Sequence, residues 1–358
     1  MDQLVQPLQD LATAATTATN AVEAQLRWLV RPIRQWLDEP AVTDIYINGP
    51  DHAFVKRAGR MSRENVRLSY EDLIDIGINA AALMAQDIGP DVPLCSTRFP
   101  DGHRVQLIRP PAVADGQYSI SIRRPAPKSP TLDDLARAGV FSQAKLAGSG
   151  PSALDRELTA LYLACEWRDF LHLAVANGKN IVFAGEVGSG KTHNLRAFTN
   201  SIRRDARIVT VEDMPEIIGL PHENVVNMFY SEGKQGTARV SAEELIVAAL
   251  RMGMDYLLMQ ELRNAAAFAY LRALASGHPG MTTCHAPSAA GAFDAIRLMV
   301  KQHEAGRHLA DDDVRAMLFS LIDIVVHCES RDGRYRMTEV WYDPERRGGM
   351  VQATTSAE

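Results

Sequence analysis

Cysteine is scarce in this chain and shows none of the spacings that bind a structural metal. The 358 residues include four cysteines, which lie far apart, and no C-x-x-C pair occurs. Zinc sites and disulfide-stabilised scaffolds place their cysteines in close or repeated patterns. The sequence therefore predicts neither a structural zinc site nor a disulfide framework, and scattered cysteines favour a reducing compartment such as the cytoplasm.

Long apolar runs and an excess of positive charge are also missing. No stretch of 18 apolar residues occurs, and the N-terminus lacks the basic start and apolar centre of a signal peptide, so we expect a cytoplasmic protein. Lys and Arg number 38 against 44 Asp and Glu, which gives a net charge of −6. Because this balance creates no global field that attracts nucleic acid, we expect no specific nucleic-acid recognition.

A phosphate-binding loop is the clearest motif that the sequence does contain. Residues 184–194 read AGEVGSGKTHN and fit the spacing G-x-x-x-x-G-K-[ST]. The apolar run KNIVFAG before the loop predicts a buried strand, and LRAFTNSI after it has helical spacing. Such a loop turns its backbone N–H groups toward phosphate oxygens. The residues expected to bind the nucleotide are Gly185, Glu186, Val187, Gly188, Ser189, Gly190, Lys191, Thr192 and His193.

Two side chains of this loop have predicted roles. Lys191 is expected to reach the β- and γ-phosphates, and the hydroxyl of Thr192 is expected to bind Mg²⁺. Hydrolysis of a nucleoside triphosphate further needs a group that activates water, and positive charge beside the transferred phosphoryl group. The rest of the chain must supply these groups.

Three segments after the loop end in polar residues of the required types. Two of them predict strands that end in acids, RIVTVEDMPEI (207–217) and MDYLLMQELR (254–263). The third predicts a strand with a histidine on each side, SGHPGMTTCHA (276–286). Parallel strands bring their carboxyl ends to one edge of a sheet. From the residues alone, a surface turn explains the acids nearly as well, and isolated histidines are more often structural. The candidates are Glu212, Asp213, Glu216, Glu261, Arg263, His278 and His285.

The order of predicted elements divides the chain into two domains. Residues 1–125 predict an α+β domain with a mixed sheet and an amphipathic N-terminal helix. Residues 126–155 have the proline, glycine and serine content of a linker. Residues 156–345 alternate apolar strands with helices, which predicts an α/β domain around a parallel sheet. Residues 346–358 are expected to form a C-terminal tail.

The predicted N-terminal helix, within residues 5–37, has two interpretations. Its arginines Arg27, Arg31 and Arg34 lie beside Trp28 and Trp36. A basic amphipathic helix of this kind can make peripheral contact with an anionic membrane. The pattern is more typical of a helix that packs on its own domain, and we expect a break near Pro32.

The order of these motifs resembles one family, the hexameric ATPases of the secretion superfamily, and within it the traffic ATPases of type IV secretion systems. The phosphate loop is followed by VEDMPE, QELR and GHPGMTTCHA. That family's N-terminal domain is resembled by three segments, LDEPAVTDIYINGPDHAFV, GHRVQLIRPP and SISIRRPA. Its C-terminal end is resembled by EVWYDP. The resemblance thus covers nearly the whole chain.

The resemblance implies a fold and a function. The fold is a C-terminal RecA-like P-loop ATPase domain with a parallel sheet, preceded by an α+β domain. The function is that of a homo-hexameric ATP hydrolase that uses ATP and Mg²⁺ to drive pilus assembly or substrate export. Such an enzyme is cytoplasmic, is peripherally associated with the inner membrane, and works with other inner-membrane secretion components.

The resemblance also implies roles for single residues. It assigns Lys191 and Thr192 to Walker A, Glu212, Asp213 and Glu216 to the Asp box, Glu261 and Arg263 to the Walker B segment, and His278 and His285 to the His box. Glu216 is the first choice for the catalytic base. The expected metal-binding residues are Thr192, Glu261, Glu212 and Asp213. Arg104 and Arg123 are expected on the nucleotide face of the N-terminal domain.

Departures from the family pattern predict slow or differently regulated turnover, and three alternative functions stay open. His193 stands where a second Thr usually follows the Walker A hydroxyl, and Gln260 and Asn264 replace small residues around ELR. A hexameric nucleic-acid motor of related fold would hydrolyse ATP faster with DNA. A small-molecule kinase would require an acceptor, and an ATP-switched assembly factor would bind ATP without appreciable turnover.

Overall fold

The chain forms two compact units whose bounds differ from those of the expected domains. The computed structural model describes residues 19–125, 129–144, 151–231 and 239–343. One unit comprises Met1–Pro125 and Asn224–Gly253, and the other comprises Ala126–Glu223 and Met254–Glu358. The sequence predicts residues 224–253 within the C-terminal α/β domain. They belong to the first unit because Phe229 N–H donates to the carbonyl of Ala112 at 2.9 Å, and Tyr46 packs on Gly253.

The first unit is built on a six-stranded sheet. Its strands are β1 (Val42–Ile47), β2 (His52–Arg57), β3 (Arg60–Asn65), β4 (Leu94–Arg98), β5 (Arg104–Ile108) and β6 (Ser119–Arg123), and this unit also contains β9 (Val225–Phe229). Its helices are α1 (residues 19–29), α2 (Arg34–Asp38), α3 (Tyr70–Ala82) and α8 (Ala242–Ala249). The strand order is β3–β2–β1–β6–β5–β4.

The expectation of a mixed sheet was wrong. Every neighbouring pair in this six-stranded sheet is antiparallel. Four of the five pairs join consecutive strands through short connections, such as the two residues between β2 and β3. A parallel neighbour would require a crossover of a dozen or more residues. The core lies between this sheet and the helices, with Leu26, Ile33, Leu73 and Ile120 fully buried.

The N-terminal helical segment packs on its own unit in the described part. Helix α1 ends at residue 29, and a short 3-10 helix at Arg31–Ile33, which contains the predicted break, leads into α2. Trp36 is buried, whereas Trp28 is 59% exposed. The part of the predicted helix before residue 19 lies outside the described residues. None of the helices in the described ranges has both the length and the apolar character needed to cross a bilayer.

The second unit is an α/β fold around a largely parallel sheet. Its strands are β7 (Ile181–Gly185), β8 (Ile208–Glu212), β10 (Tyr256–Met259), β11 (Gly280–Cys284), β12 (Ile324–Arg331) and β13 (Arg334–Tyr342). Its helices are α4 (Leu132–Arg137), α5 (Ala153–Leu163), α6 (Trp167–Ala176), α7 (Lys191–Phe198), α9 (Ala266–Ala275), α10 (Ala289–Gln302), α11 (Glu304–Arg307) and α12 (Asp311–Leu321). These strands follow the order β13–β12–β7–β11–β10–β8.

The parallel strands of the second unit share one polar edge. Strands β12, β7, β11, β10 and β8 pair in parallel, and β13 returns antiparallel to β12 as a hairpin. Four of these strands, β7, β8, β10 and β11, are completely buried, which explains their continuous apolar sequences. Their carboxyl ends carry the phosphate loop and the polar segments that follow it in the sequence. The fold thereby gathers these segments at one place.

The packing of α3 against a buried tyrosine gives a test of the first unit. A Cβ added to Gly77 would lie 1.8 Å from the hydroxyl of Tyr118, whose side chain is fully buried. Overpacking of this kind costs about 1–3 kcal/mol. This clash with a fully buried ring exceeds the gain of about 1 kcal/mol that Ala brings to a helix. We therefore expect Gly77→Ala to lower the free energy of unfolding, measured by urea denaturation.

Tyr118→Phe is the matched control for this test. The Tyr118 hydroxyl has no hydrogen-bond partner within the described chain, so its removal should be neutral or stabilising. In the double variant it should recover part of the loss that Gly77→Ala causes. A Gly77→Ala protein as stable as the parent would contradict the packing described here.

Candidate active site

The phosphate loop joins β7 to α7, as the sequence predicts. β7 ends at Gly185 and α7 begins at Lys191. Gly190 has a left-handed φ of 84°, which disfavours other residue types. A Cβ on Gly185 would lie 2.2 Å from the carbonyl oxygen of Cys328 on β12. Two of the motif glycines are therefore required by the backbone itself, one for its conformation and one for a close approach.

Lys191 is held at the mouth of the loop by backbone carbonyls. Lys191 is buried, with 7% of its surface exposed. Its Nζ donates to the carbonyls of Gly185 at 3.0 Å and Glu186 at 2.7 Å. Burial lowers the pKa of Lys191, while the carboxylate of Glu261 acts in the opposite direction. An anion in the loop would further stabilise the charged amine.

A chain of polar contacts leads from Lys191 to the acidic strand ends. His285 Nδ1 lies 3.4 Å from Lys191 Nζ, and His285 Nε2 lies 3.0 Å from Glu261 Oε1. Arg263 then bridges Glu261 and Asp213, with 2.9 Å to a carboxylate oxygen of each. These residues follow β7, β11, β10 and β8, the order of the strands in the sheet. The structure thus brings together five of the predicted site residues.

Gln260 has a structural role that the sequence did not indicate. The side chain is 7% exposed, and its Oε1 accepts hydrogen bonds from the backbone N–H groups of Asp213 at 3.0 Å and Met214 at 3.4 Å. The amide thereby fixes the loop after β8 to the end of β10. Gln260, which departs from the family pattern, therefore anchors the acidic loop.

Glu212 is not placed as a metal ligand, contrary to our expectation. The residue is completely buried, and its Oε1 accepts from the hydroxyl of Thr210 at 2.5 Å. Its Oε2 accepts from the backbone N–H groups of Glu216 at 2.8 Å and Ile217 at 2.7 Å. Both carboxylate oxygens are therefore used to hold the loop. This loop carries Glu216 with an exposed side chain.

His278 does not join the site either. It precedes β11, whereas His285 follows it, and the five residues of that strand separate the two by roughly 17 Å at about 3.3 Å per residue. His278 Nδ1 lies 2.9 Å from the hydroxyl of Ser276, and burial lowers the pKa of His278. Histidines on the two sides of one strand necessarily lie at opposite edges of the sheet.

Arg104 and Arg123 belong to the first unit. They are exposed cross-strand partners on β5 and β6, and Arg98 on β4 is in turn the partner of Arg104. The three arginines form a row across the sheet. They line a cavity of about 340 Å³ that Arg251 also lines. Like charges directly opposite each other are unfavourable unless an anion or a carboxylate compensates them.

The residues near the phosphate loop fit a magnesium nucleotide. Within the described ranges, no group of three or more His, Cys, Asp or Glu side chains is arranged to hold a metal ion. Mg²⁺ usually takes only one or two protein ligands and completes its shell with phosphate oxygens and water. Thr192 is the second residue of α7, and Glu261 and Asp213 lie at the same sheet edge. This set is sufficient for Mg²⁺ bound together with a nucleotide.

Comparison with known proteins identifies the family. Residues 152–352, more than half of the chain, match the family described as type II/IV secretion system protein. The chain belongs to this family. The type IV secretion system protein VirB11 of Bartonella henselae is 38% identical over 328 residues, which cover 88% of this chain and 92% of that protein. Protein VirB11 of Agrobacterium fabrum is 37% identical over 336 residues, which cover 92% and 97%.

A solved relative has the same fold. The crystal structure of the VirB11 ATPase from the Brucella suis type IV secretion system, in complex with sulphate, matches with a TM-score of 0.89 and 35% identity. The match covers 94% of this chain and 99% of that one. The predicted family is confirmed, as is the fold class of an N-terminal α+β domain and a RecA-like ATPase domain. As a member of the family, the protein is an ATP hydrolase of type IV secretion.

The Gln260 anchor can be tested by hydrogen exchange. Gln260→Leu removes the acceptor for two backbone N–H groups, so we expect faster amide exchange at Asp213 and Met214 and slower ATP hydrolysis. Gln260→Glu is the matched control, since it keeps an acceptor oxygen and should preserve slow exchange. Parental exchange rates in the Leu variant would show that the loop is held by other contacts.

Proposed function

We propose that ATP is hydrolysed at the sheet edge where Lys191, His285 and Glu261 meet. The observation that carries this proposal is the continuous contact chain from the loop lysine to the acidic strand ends. The backbone N–H groups of the phosphate loop and Lys191 bind the phosphates. Bound Mg²⁺ supplies positive charge to the β- and γ-phosphates, and Thr192, Asp213 and Glu261 are the side chains that would hold it.

Glu216 is the proposed base that orients and deprotonates water. Its side chain is exposed, while its backbone N–H is fixed by the buried carboxylate of Glu212. A base on a fixed loop loses little conformational entropy when it meets its substrate. His285 contacts both Lys191 and Glu261, so a phosphate beside Lys191 changes the charge that His285 and Glu261 experience. His285 is thus the proposed sensor of the γ-phosphate.

The assembly proposed for the protein is a homo-hexameric ring. We further infer that it associates peripherally with the inner membrane and works there with other secretion components to drive pilus assembly or substrate export. The support is the family, together with relatives that are named as components of type IV secretion systems. Mass measurement in solution with and without ATP and Mg²⁺ tests the sixfold assembly.

Substitutions at the sheet edge test the proposed chemistry. Lys191→Ala should lose ATP binding, since the amine is a main phosphate contact. Glu216→Gln and Glu261→Gln should bind ATP but turn over about a hundredfold more slowly, as is expected when a positioned acid or base is lost. Phosphate release and ATP affinity are measured on each purified variant.

The control is His278→Gln, because His278 lies at the other edge of the same sheet. It should hydrolyse ATP at the parental rate. The assignment is refuted when both glutamate variants keep parental turnover, or when His278→Gln slows hydrolysis as much as they do.

Arg104 and Arg123 are proposed to bring positive charge to the transferred phosphoryl group. Replacing either with Ala should lower turnover by about tenfold or more while ATP binding is largely kept, because the phosphate loop is intact. The melting temperature of Arg104→Ala should not fall, since this change relieves repulsion within the arginine row, whereas Arg123 also faces Asp44 on β1. Arg60→Ala on β3 of the same sheet serves as the control. Parental turnover in the Arg104/Arg123 double variant would remove both residues from the mechanism.

A further inference from the structure

The β12–β13 hairpin reaches past the phosphate loop. Cys328 on β12 pairs with Gly185, the last residue of β7. Beyond that pair the hairpin continues to Arg331, turns at residues 332–333, and returns through Arg334 and Tyr335. The tip of the hairpin therefore stands beside the loop, although it is distant in the sequence.

Tyr335 lies against the start of α7. A Cβ added to Gly190 would be 2.8 Å from the Tyr335 ring. The Tyr335 and His193 ring centroids are 5.8 Å apart, with an angle of 33° between the ring planes. Gly190 and His193 are three residues apart and so lie on one side of the helix. Tyr335 nevertheless remains 57% exposed, so much of the ring is available for another contact.

The strand order gives a direction to a nucleotide in the loop. β7 lies between β11 and β12. Lys191 contacts His285, which follows β11, and through it Glu261, which follows β10. If the γ-phosphate is held near Lys191 and Glu261, as proposed above, that end of the ligand lies on the β11 side of the loop. A linear triphosphate with that end fixed directs its ribose and base to the opposite side, where β12 and β13 lie.

We propose that Tyr335, together with His193, forms the surface on which the base of the nucleotide stacks. This inference rests on the proposed function, because it takes the phosphates to be held by the loop. The exposed face of the tyrosine ring packs on the base, and its other side rests on Gly190. His193, which replaces a second Thr, then supports the tyrosine ring by ring contact.

Stacking implies a selectivity by ring size. Every base has a π-face, and the contact grows with the area of the ring system. Purine triphosphates should therefore bind more tightly than pyrimidine triphosphates. ATP and GTP should differ in affinity by only a few-fold through this contact, since stacking does not use the polar edge of the base.

The test compares the affinity for a ligand that carries a nucleobase with the affinity for a ligand that lacks one. Dissociation constants for Mg²⁺–ATP and Mg²⁺–tripolyphosphate are measured on the full chain. Stacking on an aromatic ring changes affinity by roughly 5- to 150-fold. We expect Tyr335→Ala to weaken ATP binding by a factor in this range and to leave tripolyphosphate binding unchanged. Tyr335→Phe keeps the ring and should keep parental ATP affinity.

Two further variants complete the design. Phe141→Ala removes another exposed aromatic ring, 53% exposed, and should alter neither dissociation constant. His193→Ala should weaken ATP binding by a smaller factor than Tyr335→Ala, again without effect on tripolyphosphate. This second variant tests the same surface when loss of Tyr335 impairs folding.

The outcomes separate this inference from the function on which it rests. Parental ATP affinity in both Tyr335→Ala and His193→Ala overturns the stacking surface. An equal loss for ATP and tripolyphosphate overturns it as well, because the tyrosine then shapes the phosphate loop. Failure of the proposed function would give a different result: Lys191→Ala would bind both ATP and tripolyphosphate with parental affinity.

Discussion

The site depends on the parallel pairing of β12, β7, β11, β10 and β8. Parallel strands all start at one edge of a sheet and end at the other, so the residues that follow the strands lie close together at the same edge. This constraint brings Lys191, His285 and Glu261 into contact from separate parts of the sequence. It also sets their order, since each polar residue takes the position of its strand. The chemistry of the site is therefore a consequence of the strand order.

The sequence predicted the residues that sit at strand ends and missed the contacts that support them. The loop spacing and the apolar runs were enough to place Lys191, Glu261 and His285, because both signals are local. Gln260 could not be understood in this way. Its role depends on two backbone N–H groups of a loop far away in the sequence. Tyr335 was missed for the same reason, as no local pattern connects it with Gly190.

Two corrections show where pattern reasoning failed. Glu212 and His278 have the residue types that the chemistry needs, but their positions differ. Glu212 is the last residue of a buried strand, and its carboxylate accepts hydrogen bonds from a hydroxyl on the same strand and from two backbone N–H groups of the loop that follows. His278 stands at the wrong end of its strand. Residue type therefore suggested these roles, and burial and strand direction decided against them.

The membership of residues 224–253 in the first unit has a mechanical consequence. The chain passes from the first unit to the second at Pro125–Ala126, back at Glu223–Asn224, and across again at Gly253–Met254. The segment between the last two crossings joins β8, which leads into Asp213, to β10, which leads into Gln260 and Glu261. The units are thus held by three covalent tethers instead of one. One of these tethers follows β8 and another leads into β10, so the first unit is covalently connected to both of the strands that lead into Asp213 and Glu261.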